Sequence, residues 1–159
     1  MAYSSGNYSN RDKRFSKAEE EGRKRFYEDF NKTNDITFTE AAYCPVDAVS
    51  VAKKGGHKCV VELKCYCDPA HPRNHDKFQD YQIDFGKCFN VVKAAEQENA
   101  EPLLVVYFSD KRVIWNLNKS DWKDRGDWVW TNENGQEYGK YGKWTYQTHL
   151  LISEAVDIR

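Results

Sequence analysis

PVDAVSVAKKGGHKCVVELK, residues 45–64, is the stretch whose reading decides the fold. Its halves, Val46 to Lys53 and Lys58 running on to Cys67, are rich in valine and flank Gly55-Gly56, a pair suited to the positive φ angles of a hairpin turn. With a two-residue turn at the glycines, Lys54 faces His57 and Asp47 faces Lys64. Residues i and i+2 of a strand point to one side of the sheet. Directly opposed residues such as Asp47 and Lys64 lie on one face with Cβ atoms ~4.5–5.5 Å apart, and Glu62, which shares that face with Lys64, becomes the diagonal neighbour of Asp47. A longer loop or a one-residue bulge changes this register.

Two carboxylates held close together in an apolar strand repel one another and are costly to desolvate. A hard divalent cation offsets both costs. Mg²⁺ takes oxygen ligands, keeps several waters and shares its remaining positions with substrate phosphate. An ion held there polarises a phosphoryl oxygen and lowers the pKa of a bound water, while Lys64 supplies positive charge to the transition state. The cluster reads as a phosphodiesterase site.

Around the hairpin, Phe15, Ala18, Gly22, Phe26 and Phe30 recur at helical steps and predict an amphipathic helix from Lys13 to Phe30. ITFTEA (36–41) reads as a strand. Phe78, Phe85, Phe89 and Val92 predict a second helix over 76–99. PLLVVYF (102–108) suits a strand covered on both faces, and Val113 to Leu117 pairs beside it. Residues 1–12 are expected to fray. Residues 13–159 are expected to form a single domain, with a core over 13–117 and an extension over 118–159. That extension crowds Trp122, Trp128, Trp130, Tyr138, Tyr141, Trp144 and Tyr146 around expected strands at 127–132 and 142–151. Its rings either pack on the core, the favoured reading, or form a platform for unpaired bases with Lys140 and Lys143 on phosphates.

Pro45-Val46-Asp47, then 14 residues, then Glu62-Leu63-Lys64 resembles the signature of the PD-(D/E)XK nuclease superfamily. The proline stands two positions before the aspartate rather than directly before it. The resemblance, nearest in character to exonuclease-like and Holliday-junction-resolvase-like branches, implies an α/β restriction-endonuclease-like core. Its order of helix, three strands, helix and strand surrounds a central mixed sheet and matches residues 13–108. It further implies that Asp47 and Glu62 bind Mg²⁺ or Mn²⁺, that Leu63 lends a carbonyl, and that Lys64 assists attack by water. Some branches add an acid from the first helix, for which Glu19 is the candidate against the plainer reading of a solvated helix flank. They also add a polar residue from the helix after the triplet, for which Gln82 is the candidate, sharing the expected face of Phe78, Phe85 and Phe89. DNA is the expected partner, and many members of the superfamily dimerise, which leaves a homodimer open. Lys53, Lys54, Lys58, Lys87, Lys111 and Arg112 are candidate contacts to nucleic acid. The alternative is a non-catalytic module on the same fold that binds nucleic acid or protein.

Bulk properties restrict the rest. The 159 residues carry 24 Lys and Arg against 25 Asp and Glu, so only a local surface would attract an anion. Five cysteines and an opening without an apolar signal core favour a reducing, cytoplasmic (intracellular) setting. No apolar run approaches the ~20 residues that span a bilayer. Cys65, Cys67, His71 and His75 offer a zinc set, disfavoured because a Cys-x-Cys strand pair lacks the usual turn spacing. Neither a Walker-type phosphate loop nor a nucleophile elbow occurs.

Overall fold

The computed structural model describes residues 10–40, 44, 46–66, 80–132 and 142–159, without the side chains of 10–16 and 132. Helix α1 (Asn10–Phe30) leads into strands β1 (Asn34–Phe38), β2 (Ala48–Ala52) and β3 (Lys58–Cys65). A short strand β4 (Asp80–Asp84) precedes helix α2 (Phe85–Glu98), followed by β5 (Glu101–Tyr107) and β6 (Arg112–Asn116). Strands β7 (Asp127–Asn132), β8 (Gly142–Leu151) and β9 (Asp157–Ile158) complete the order.

Six strands form a mixed sheet in the order β1-β2-β3-β5-β6-β9, and β4-β8-β7 form a second, three-stranded sheet. β3 and β5 run parallel, a pairing that needs a crossover, and α2 lies on that connection. Alternation along β3 divides the core. Cys59, Val61 and Leu63 pack with Phe26 of α1, Ala48 and Val105. Val60, on the opposite face, packs with Cys88, Val91, Val92 and Ala95 of α2 and with Tyr81, Ile83 and Leu150 of the small sheet. The architecture is thus a central mixed sheet with α1 on one side and α2 plus the second sheet on the other. Gly22 brings α1 close to β3, since a Cβ there would lie 3.1 Å from the Cβ of Cys65. Buried Trp115 and Trp122 donate their indole N–H groups to the carbonyls of Leu151 and Leu117, each at 2.8 Å, so neither ring leaves an unsatisfied donor in the core.

Two expectations are corrected. The helix expected over 76–99 begins only at Phe85, because Tyr81 and Ile83 alternate with polar residues and pair with β8 opposite Leu150 and Thr148. Asp84 then caps α2, accepting from the Lys87 N–H at 3.3 Å. Asn99 ends the helix in the left-handed conformation, φ 49°. The hairpin register also differs: Ala48 pairs with Val61 and Val51 with Lys58, and the Ala52 N–H donates to the His57 carbonyl at 2.8 Å. The connection is therefore a four-residue loop, Lys53 to Gly56, in which both glycines take positive φ, 87° and 68°.

Candidate active site

The corrected register changes how Asp47 meets β3. Its N–H donates to the carbonyl of Val61 at 2.8 Å, although Val61 is already the partner of Ala48. Two residues of one strand facing one of the next is a β-bulge, which bends the strand and re-aims a side chain. Here Oδ2 of Asp47 accepts the Leu63 N–H at 2.8 Å. Asp47 is consequently anchored beside the Glu62-Leu63-Lys64 triplet rather than directly opposite Lys64.

Glu62 lies on the α2 side of β3 and is 3% exposed. Its Oε1 is 3.3 Å from Nζ of Lys64 and 3.1 Å from Nζ of Lys87, which reaches down from the first turn of α2. Burial, and then the charge of Asp47, push the Glu62 carboxyl up to about 7, with the two lysines pulling the other way. Lys64 is held above its ordinary value: burial opposes its charge, but Glu62 and Asp47 outweigh that cost. From the other side of the sheet Arg23 of α1 directs NH2 to Oδ1 of Asp47 at 3.3 Å and NH1 to the Thr39 carbonyl at 3.0 Å, with its guanidinium over the Phe38 ring. Two carboxylates are thus met by three cations from α1, β3 and α2.

The other sequence-predicted residues divide clearly. Lys87 is brought into the cluster, as a partner of Glu62. Glu19 is exposed, and the α1 side chain that reaches the site is Arg23, one turn further on. Gln82 sits on an exposed position of β4, paired with His149, and not on an inward helix face; the strand alternation that buries Tyr81 and Ile83 turns it outward. Lys53 and Lys54 belong to the hairpin loop, about 20 Å along β2 from Asp47 at the rise of a strand. Lys58 lies near that loop and pairs with Glu98 at 2.6 Å. Arg112 is committed internally, bridging Asp29 and Asp157 at 2.7 and 2.8 Å. The zinc set falls outside the described residues except for Cys65, and among the described residues no group of three or more His, Cys, Asp or Glu side chains converges as for a metal. No helix among the described residues is long and apolar enough to cross a membrane.

The sequence does not single out Arg23, because one basic residue among the alternating charges of α1 is indistinguishable from a solvated one. Only the close approach of helix and sheet at Gly22 singles it out.

No family model matches the chain, and no curated protein matches it. Among solved structures it is similar to the 1.6 Å structure of Hjc, a Holliday junction resolvase from the archaeal hyperthermophile Archaeoglobus fulgidus. The TM-score is 0.49 and the sequence identity 9%, over 80% of each chain. At that level no activity is transferred from the neighbour.

Proposed function

We propose that this chain is a divalent-metal-dependent nuclease of the PD-(D/E)XK kind, hydrolysing phosphodiester bonds in DNA as the sequence resemblance implies. The observation that carries the reading is the anchoring of Asp47, through its bulge and the Leu63 N–H, next to a buried Glu62 that shares its face with Lys64. A purely structural strand has little reason to keep a buried acid whose ionisation is opposed by burial and by a second carboxylate.

The donor set fits Mg²⁺ or Mn²⁺. Asp47 and Glu62 present hard carboxylate oxygens, the carbonyl of Leu63 lies between the positions of Glu62 and Lys64 in the chain, and such ions need only one or two carboxylates when waters and a substrate phosphate complete the shell. When bound, the ion supplies Lewis-acid polarisation of the scissile phosphate and a lowered pKa for water. Lys64 places an ammonium where negative charge grows on the phosphate during attack. Lys87 shares Glu62 with Lys64 and adds a second positive charge at the start of α2, whose N-terminus itself favours anions. Arg23 holds Asp47 from behind through Oδ1 and, with the Leu63 N–H on Oδ2, fixes the orientation of the carboxylate.

Labelled single-stranded, duplex and branched DNA incubated with Mg²⁺ or Mn²⁺ tests the proposal. Cleavage by the wild type that disappears in Lys64→Ala, with binding retained, is the expected result. Equal cleavage by both proteins, or none by the wild type on any substrate, overturns it.

A further inference from the structure

The three-stranded sheet turns one face toward the core and carries it past the edge of the core. On that face Tyr81, Ile83, Thr148 and Leu150 are buried. Further along the same face, Trp128 stands opposite Tyr146 and Trp130 opposite Trp144. The outer rings are open to solvent: Trp128 is 63% exposed and Trp144 61%. The expectation that the rings of this extension pack on the core therefore holds for Trp122, which is fully buried, but not for these two.

The rings are seated rather than loose. Trp130 lies across Gly142 and Tyr146 across Gly126, and any Cβ at either glycine would collide with the ring. Trp144 meets Trp130 edge-on with centroids 5.5 Å apart, and Trp128 leans on Tyr146 at 5.3 Å. The strip is also continuous with the site. Phe85, the first residue of α2, touches Trp122 and Tyr146 at 5.0 and 4.8 Å, and two residues later Lys87 contacts Glu62. Two cations accompany the rings: Lys87 at the site and Lys123, whose Nζ is 5.7 Å from the Trp122 ring; Lys143, paired with Thr131, alternates to the opposite face of β8, and Lys140 lies outside the described residues.

We infer that this aromatic face binds an unpaired strand of nucleic acid, stacking bases on Trp128 and Trp144, so that the nuclease acts on single-stranded or branched DNA at the end of the strip marked by Phe85 and Lys87. The inference rests on the nuclease reading for its consequence, but the binding step stands apart from it. Exposed π faces leading to Lys87 and Lys123 at one end suit bases and their phosphates, because stacking tolerates any sequence. A net charge of −1 leaves little uniform electrostatic attraction for duplex backbone. Rings fixed in advance lose little freedom when a base settles on them.

The test is fluorescence anisotropy of a short labelled single strand and of the matching blunt duplex, in EDTA so that no cleavage intervenes. Wild type is compared with Trp128→Ala/Trp144→Ala and with Trp128→Phe/Trp144→Phe, and sedimentation gives the oligomeric state of each. The alanine pair is expected to weaken single-strand binding about 30-fold or more, from about 5- to 150-fold per lost base stack. Duplex binding should change less, and the phenylalanine pair should recover most of the loss. Unchanged single-strand binding, an equal loss on both nucleic acids, or a wild-type dimer that the alanine pair dissociates without affecting binding overturns the inference. A Lys64→Ala protein that still cuts, alongside a stacking loss as expected, would sink the nuclease reading and leave this one intact.

Discussion

Replacing Glu62 by glutamine should stabilise the protein while removing its chemistry. Glu62 is buried, and its carboxyl rises from 4.5 to about 7 in the fold. At about 1.4 kcal/mol for each tenfold change in proton affinity, ionising it within the folded protein costs about 3 kcal/mol. That cost already includes the attraction of Lys64 and Lys87. A folded-state value above the unfolded one means that the neutral carboxyl contributes stability below about pH 4.5, and that this contribution is lost as pH rises through about 7. Glutamine copies the neutral form at every pH. Urea unfolding should therefore show wild type and Glu62→Gln close together near pH 4.5, and the variant ahead by about 3 kcal/mol near pH 8. Added Mg²⁺ should narrow the gap by binding only the folded, ionised wild type, whereas cleavage by the variant should be lost. A variant that is less stable than wild type near pH 8, or a difference that does not move with pH, would refute the reasoning.

The remaining predictions concern the anchoring of the site. Asp47→Asn keeps an oxygen for the Leu63 N–H and should retain wild-type unfolding within about 1 kcal/mol while losing Mg²⁺-dependent activity; Asp47→Ala leaves that donor unanswered and should cost about 1–3 kcal/mol more in urea titration. Gly22→Leu has no room against Cys65 and should lower stability by about 1–3 kcal/mol through displacement of α1. Because Arg23 is carried on the same helix, Mg²⁺ affinity measured by calorimetry should fall in Gly22→Leu as well.

Periodicity and turn chemistry made most of the elements legible in the chain. The 3.6-residue recurrence of Phe26 and Phe30 marks α1, the valine-rich runs around Gly55-Gly56 mark β2 and β3, and the continuous apolar run at Leu103 to Tyr107 marks β5. These signals are local, because burial of one face repeats with the geometry of a single element. The break at 80–84 was hidden because Phe85, Phe89 and Val92 do follow a helix, and the same spacing extends by coincidence to Phe78. Long-range pairing with β8 overrode it.

By itself, the sequence determined which residue types were available to the site: an aspartate, and a Glu-Leu-Lys triplet whose alternation places Glu62 and Lys64 on one face. The tertiary structure alone decided how they meet. A bulge sets the direction of Asp47, a glycine lets α1 close in so that Arg23 can hold it, and the start of α2 delivers Lys87 to Glu62. It also decided which tryptophans are buried and which face water. Side-chain periodicity is a property of one element, but proximity between elements depends on register, bulges and packing distance, and none of these leaves a repeat in the chain.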